Sequence, residues 1–197
     1  MHPQPLVALA ALALVAAGCA APTPPPAFHA GPVSDSDAVV AVVREGTHVT
    51  AYVCGGATSY DALTRWFEGS SPEGDALEVS RDGFTLRLEG APPDATSLSG
   101  SLTDARGIAR PFVAHLQPRD PVAGLYDNSE SGCRAGAMVW YPDGAAEPRV
   151  QGTWCDRGGL TEQVEPVRPL QVDGAGLRVR LGPRGGLRQI RLRALVR

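Results

Sequence analysis

Four cysteines and four histidines hold most of the nucleophilic and metal-binding potential of this 197-residue chain. A structural zinc site takes cysteines in closely spaced pairs, and Cys54, Cys133 and Cys155 have no C-x-x-C among them. In an oxidising compartment such residues pair with each other instead. A hairpin across 137–155 turning near residue 144 would bring Cys133 opposite Cys155, so a Cys133–Cys155 disulfide is expected, with Cys54 a buried free thiol. Cys54–Cys133 and Cys54–Cys155 are the competing pairings. The histidines lack visible partners: His2 and His29 lie near the N-terminus, His48 beside a turn and His115 at a strand end. A hydrolase would need His115, a serine and a carboxylate to converge, and there is no G-x-S-x-G elbow to announce it. Asp35-Ser36-Asp37 lacks the glycine and distal glutamate of a calcium loop and reads as a solvated turn. No catalytic residue, metal or cofactor is implied.

Trp66, Trp140 and Trp154 could line a carbohydrate or lipid pocket; packing across strands is the competing reading. Charge is more informative. Every basic residue is arginine, and all 21 acidic residues fall at or before Asp173 with 11 arginines, a balance of −10. The last 24 residues carry seven arginines and no acid, or +7. In that tail Leu177, Val179 and Leu181 alternate with Arg178 and Arg180, while Ile190, Leu192, Ala194 and Val196 alternate with Arg191, Arg193, Leu195 and Arg197. Period two puts the aliphatics on one face and the arginines on the other. Like charges facing across a ladder repel, so Arg178, Arg180, Arg191 and Arg193 should seek carboxylates of the acidic body, such as Glu162 and Glu165, or an anionic partner.

The elements that must position these residues read as strands. Five hairpins are predicted: 38–43 with 49–54, 76–80 with 84–88 around Asp82-Gly83, 98–103 with 108–115, 137–141 with 149–155, and 177–181 with 187–196. About ten strands in an all-β antiparallel meander must curl into a closed or nearly closed barrel, or split into a sandwich, to hide their edges. Only Tyr60–Phe67, with Leu63, Trp66 and Phe67, suggests a helical turn.

Location is set by Leu6–Cys19, LVALAALALVAAGC. Its 13 apolar residues ahead of Cys19 match a signal-peptide core and fall short of the roughly 20 that span a bilayer. The ending Val15-Ala16-Ala17-Gly18-Cys19 resembles a bacterial lipobox. That resemblance implies a lipoprotein: residues 1–18 removed, Cys19 thioether-linked to diacylglycerol, and palmitate-type chains holding the protein to a membrane of the cell envelope. An ordinary secretory signal cut near Ala17 or Ala21 is the alternative. Prolines from Ala20 to Pro32 predict an extended spacer over 19–36, ahead of a single β domain at 37–197 whose C-terminal hairpin is 174–197. The succession Ala51-Tyr52-Val53-Cys54-Gly55-Gly56, Trp66-Phe67-Glu68-Gly69, Leu98-Ser99-Gly100-Ser101-Leu102, Pro111-Phe112-Val113-Ala114 and Ala123-Gly124-Leu125-Tyr126 is similar to small uncharacterised secreted β domains of actinobacteria and other high-GC bacteria. It implies the fold and no activity.

The expected function is a non-enzymatic envelope module that binds an anionic polymer or acidic protein through the arginine strip. A carrier of a small apolar ligand inside the barrel and a hydrolase are the alternatives. Nucleic acid is not an expected partner outside the cytoplasm.

Overall fold

The computed structural model describes residues 26–72, 74–129, 132–155, 157, 161–173, 176–181 and 189–196, with backbone alone at 189–191. Leu6–Cys19 and the 182–186 hairpin loop lie outside the described residues. Alternating aliphatic and polar residues cut by Gly and Asp turns give fifteen strands and one four-residue helix among the described residues. All ten predicted strands are present, and five others join them to make two barrels.

The first barrel comprises β1 (Ala27–Pro32), β2 (Val39–Glu45), β3 (His48–Cys54), β4 (Arg65–Ser70), β5 (Leu77–Arg81), β6 (Phe84–Leu88), β7 (Ser97–Thr103) and β8 (Ala109–Leu116), with α1 (Tyr60–Leu63) between β3 and β4. Each strand ladders with its sequence neighbour and β8 returns to β1; no ladder joins β4 to β5. This seam is filled by side chains, and a Cβ placed on Gly69 would come 2.7 Å from Cγ2 of Val79. The β5–β6 turn has positive φ at both Asp82 and Gly83, the backbone a two-residue hairpin needs.

The second barrel comprises β9 (Gly124–Asn128), β10 (Ala135–Trp140), β11 (Arg149–Cys155), β12 (Thr161–Pro166), β13 (Val172–Asp173), β14 (Gly176–Leu181) and β15 (Gln189–Val196). β15 pairs with β9 and β12 pairs with β14, closing a ring of six strands; β13 extends the line of β12 along β14.

Each barrel has a filled interior. Val40, Val42, Phe67, Leu86, Leu102 and Phe112 lie inside the first; Tyr126, Ala137, Val139, Val179 and Leu192 lie inside the second. A third apolar layer joins their outer walls: Phe28, Ala30, Val39, Ala41, Tyr52 and Trp66 meet Leu125, Met138, Trp140 and Val196. Strands in this sandwich are buried on both faces. That explains why Val39–Val43 is a continuous aliphatic run with every residue buried, and why all six residues of β10 are buried.

Two expectations need correction. The spacer predicted through residue 36 gives way at Ala27 to β1, which ladders on both sides with β2 and β8. Its prolines lie at its edge, Pro26 before it and Pro32 as its last residue, where they cost no central ladder bond. The helical turn predicted over Tyr60–Phe67 stops at Leu63, and Trp66 and Phe67 fall on β4. These adjacent aromatics point to opposite faces, Phe67 into the first barrel and Trp66 into the interface.

Candidate functional site

The arginine strip lies on the outer wall of the second barrel. Leu177, Val179, Leu181 and Leu192 point into its core, leaving Arg178 and Arg180 half-buried on the other face of β14. The β14–β15 register sets Arg178 opposite Arg191 and Arg180 opposite Gln189, while β12 sets Glu165 beside Arg180. Arg193 faces Asp127 across the β9–β15 ladder, with its guanidinium 3.4 Å from that carboxylate. Asp127 and Glu165 therefore supply part of the negative charge the strip requires. Glu162, the other anticipated carboxylate, shares the inward face of Val164; it is buried, and neither oxygen has a hydrogen-bond partner among the described residues. The period-two pattern of β15 also changes at its end. A bulge between Ala194 and Val196 redirects Val196 from the barrel interior to the interface.

Cys133 and Cys155 are joined, with Cα atoms 6.0 Å apart, across the open end of the β10–β11 hairpin. Cys54 is a free, buried thiol. It lies in the interface with Sγ 3.4 Å from Oγ1 of Thr153, whose hydroxyl also meets Thr64 at 3.3 Å. Burial pushes the Cys54 thiol above its ordinary value, so it stays protonated and unreactive. Neighbouring Tyr52 is likewise raised well above the usual phenol range, by burial first and then by Cys54. Its hydroxyl donates to the carbonyl of Gly136 on the opposite barrel at 3.0 Å.

The other ionisable candidates are occupied in holding turns and strands. Asp37 accepts from Ser59 Oγ, from the N–H and Oγ of Thr58 at 2.7 Å, and from the Gly56 N–H at 3.2 Å. Burial opposes its ionisation, but these donors outweigh burial and hold it at about 2. Asp104 accepts from the N–H groups of Arg106 and Ile108 and both neighbouring guanidiniums, which keep it far below the usual carboxylate range against the opposing effect of burial. His29, assigned from sequence to the spacer, is buried in β1 and its Nε2 donates to the Ala95 carbonyl at 3.0 Å. Burial lowers its pKa. His48 meets Thr50, and His115 meets Asp143 at 3.5 Å. Among the described residues no three of His, Cys, Asp and Glu gather where they could hold a metal.

Trp66 and Trp140 belong to the interface and Trp154 packs on the core of the second barrel. Trp66 stacks on Tyr52 with centroids 4.4 Å apart, and the Arg134 guanidinium covers its ring at 3.9 Å. Arg134 escaped the sequence reading. It bridges the barrels, pairing with Glu68 of β4 and, at 3.2 Å, with the buried carboxylate of Asp127 on β9. Only a folded interface brings residues 68, 127 and 134 together, so no local pattern could have marked them. Gln151 crosses the same boundary, donating to the carbonyls of Cys54 at 2.7 Å and Asp37 at 3.2 Å.

Fold and site define an all-β protein of two barrels fastened through their walls, with charged groups on the outside. No known protein family, curated protein or solved structure matches the chain.

Proposed function

We propose that this protein is a lipid-anchored module of a bacterial cell envelope, tethered through Cys19, that binds an anionic polymer or acidic protein without transforming it. The observation that carries the reading is the placement of Arg178 and Arg180 together on the outer face of β14, with Arg193 on the neighbouring strand. Guanidiniums gathered on one strand face repel, and an anion bridging Arg178 and Arg180 relieves that repulsion through charge-assisted hydrogen bonds. Aliphatic and aromatic side chains fill the first barrel, which supports recognition on a surface over carriage in a lumen. The test is retention on immobilised polyphosphate and on poly-glutamate. Changing Arg178, Arg180, Arg191 and Arg193 to Gln, which removes the charge without setting a new carboxylate against Asp127 or Glu165, abolishes retention while the circular dichroism of the domain stays native; unchanged retention would remove the strip from the reading. The anchor has its own check, a denatured mass beginning at a lipidated Cys19 in protein from its own host.

A further inference from the structure

A half-open groove of about 840 Å³ runs along the end of the first barrel where the chain enters β1. Its walls include Pro26, Phe28, Pro93, Leu116, Pro118 and Pro121. The polar groups near its floor are already engaged: Asp120 accepts from the N–H groups of Val122 and Ala123 and from the Tyr141 hydroxyl, and Gln117 accepts from the Tyr141 N–H. What remains at the rim is largely apolar, with the opposite charges of Asp94 and Arg119 offsetting each other. Leu116 is 45% exposed, and Val113 on the same strand is 44% exposed.

We propose that this groove seats on the bilayer that holds Cys19, fixing how both barrels sit on the membrane; this rests on the lipid anchor proposed above. The argument is the length of the tether and where it ends. Pro26 is itself a wall of the groove, and it lies seven residue steps along the chain from Cys19. Proline-rich chain extends ~3.1 Å per residue, so the groove lies within about 22 Å of the lipid attachment. A surface held that near a bilayer meets it continually, and the exposed leucine and prolines gain by leaving water at the headgroup boundary while Arg119 reaches phosphate. Ile108 gives an internal control. It is as exposed as Val113, 44%, but precedes the far end of β8. At ~3.3 Å per residue it stands about 26 Å from Leu116.

The experiment uses full-length lipidated protein in phosphatidylcholine vesicles containing doxyl-labelled chains. Bimane is attached to Leu116→Cys in one sample and Ile108→Cys in another, Cys54 being too buried to label. The Leu116 probe shifts to the blue and is quenched by the doxyl lipid, and the Ile108 probe does neither. If that variant folds poorly, a bimane on Pro118→Cys, another exposed wall of the groove, repeats the Leu116 result. With Cys19 shown by mass to be lipidated, equal behaviour of the two probes overturns the seating and leaves the anchor standing. An unlipidated Cys19 overturns the anchor, and the seating with it.

Discussion

Among the described residues, eight strands in the first barrel leave β4 and β5 without a ladder around an interior that includes Phe67, Phe84 and Phe112, whereas six strands in the second close completely through β12–β14 around Tyr126, Ala137, Val139 and Leu177. Barrel diameter grows with strand number, and about eight strands leave an interior just wide enough for side chains to fill. A six-stranded ring is narrower, so it leaves less room for side chains. At Gly152 of β11 a Cβ would come 2.5 Å from Cβ of Ala137 and 2.6 Å from Cγ2 of Val164. The wider barrel is completed by packing across a seam; the narrower one is completed by backbone hydrogen bonds and stapled by a disulfide. The comparison shows that one meander pattern can be closed in two ways, and that the narrow ring has at least one position, Gly152, with no room for a side chain.

The sharpest way to break this contrast is to remove packing at the seam. Phe67→Ala should cost about 3–5 kcal/mol in urea unfolding, with amide exchange rising first in β4 and β5. Exchange rising uniformly through both barrels would mean the seam has no special weakness. Breaking the staple comes next. The double substitution Cys133→Ser and Cys155→Ser opens a loop spanning 22 residues and should lower stability by ~3 kcal/mol, with lost protection concentrated in β10 and β11. If β1–β8 lose as much, the barrels unfold as a single unit.

A smaller effect is expected where the barrels touch. A Cβ at Gly136 would come 2.5 Å from Cζ2 of Trp66 and 2.9 Å from Cζ of Tyr52. Gly136→Ala should therefore cost about 1–3 kcal/mol as the walls shift and should weaken the near-ultraviolet dichroism of the Tyr52–Trp66 stack. An unchanged spectrum would show that the walls do not shift. The mildest effect is on acid sensitivity, and it belongs to the first barrel alone. Burial holds His29 below its ordinary value, so the unfolded chain takes up the proton more readily. Stability from this site is complete above the unfolded value of ~6.5 and declines as pH falls from there to the folded pKa. His29→Gln keeps a donor for the Ala95 carbonyl and should flatten the melting temperature between pH 7 and pH 5. A slope identical to that of the parent would assign the acid sensitivity elsewhere.

Strands paired through a clear hairpin turn were legible. β6 and the β5–β6 turn follow from alternation and from Asp82-Gly83, and the β10–β11 register, Gly136 opposite Thr153, follows closely enough from the turn position to place Cys133 against Cys155. Strands with unusual environments were not. β1 sits among prolines, β4 presents adjacent aromatics to two different cores, and β12 turns the carboxylate of Glu162 toward the inside, where an aliphatic residue would have signalled a strand. Of the candidate site, the alternation of Arg178 and Arg180 with Leu177 and Val179 could be read directly, since a strand's faces are fixed by period two. The pairing of Arg193 with Asp127 could not, because it depends on β15 returning to β9.

By itself, then, the sequence determined the β character, the hairpins and the alternation of Arg178 and Arg180 with aliphatics, and it made Cys133–Cys155 the expected pairing among three, all of which arise from interactions between residues near in the chain. Only the tertiary structure decided that there are two barrels, that their walls fuse around Tyr52, Trp66 and Met138, and that Arg134 spans them to Glu68 and Asp127. Barrel closure and wall-to-wall packing are long-range choices. They turn on how many strands fill a ring and which faces remain apolar once it closes, and no local run of residues encodes either.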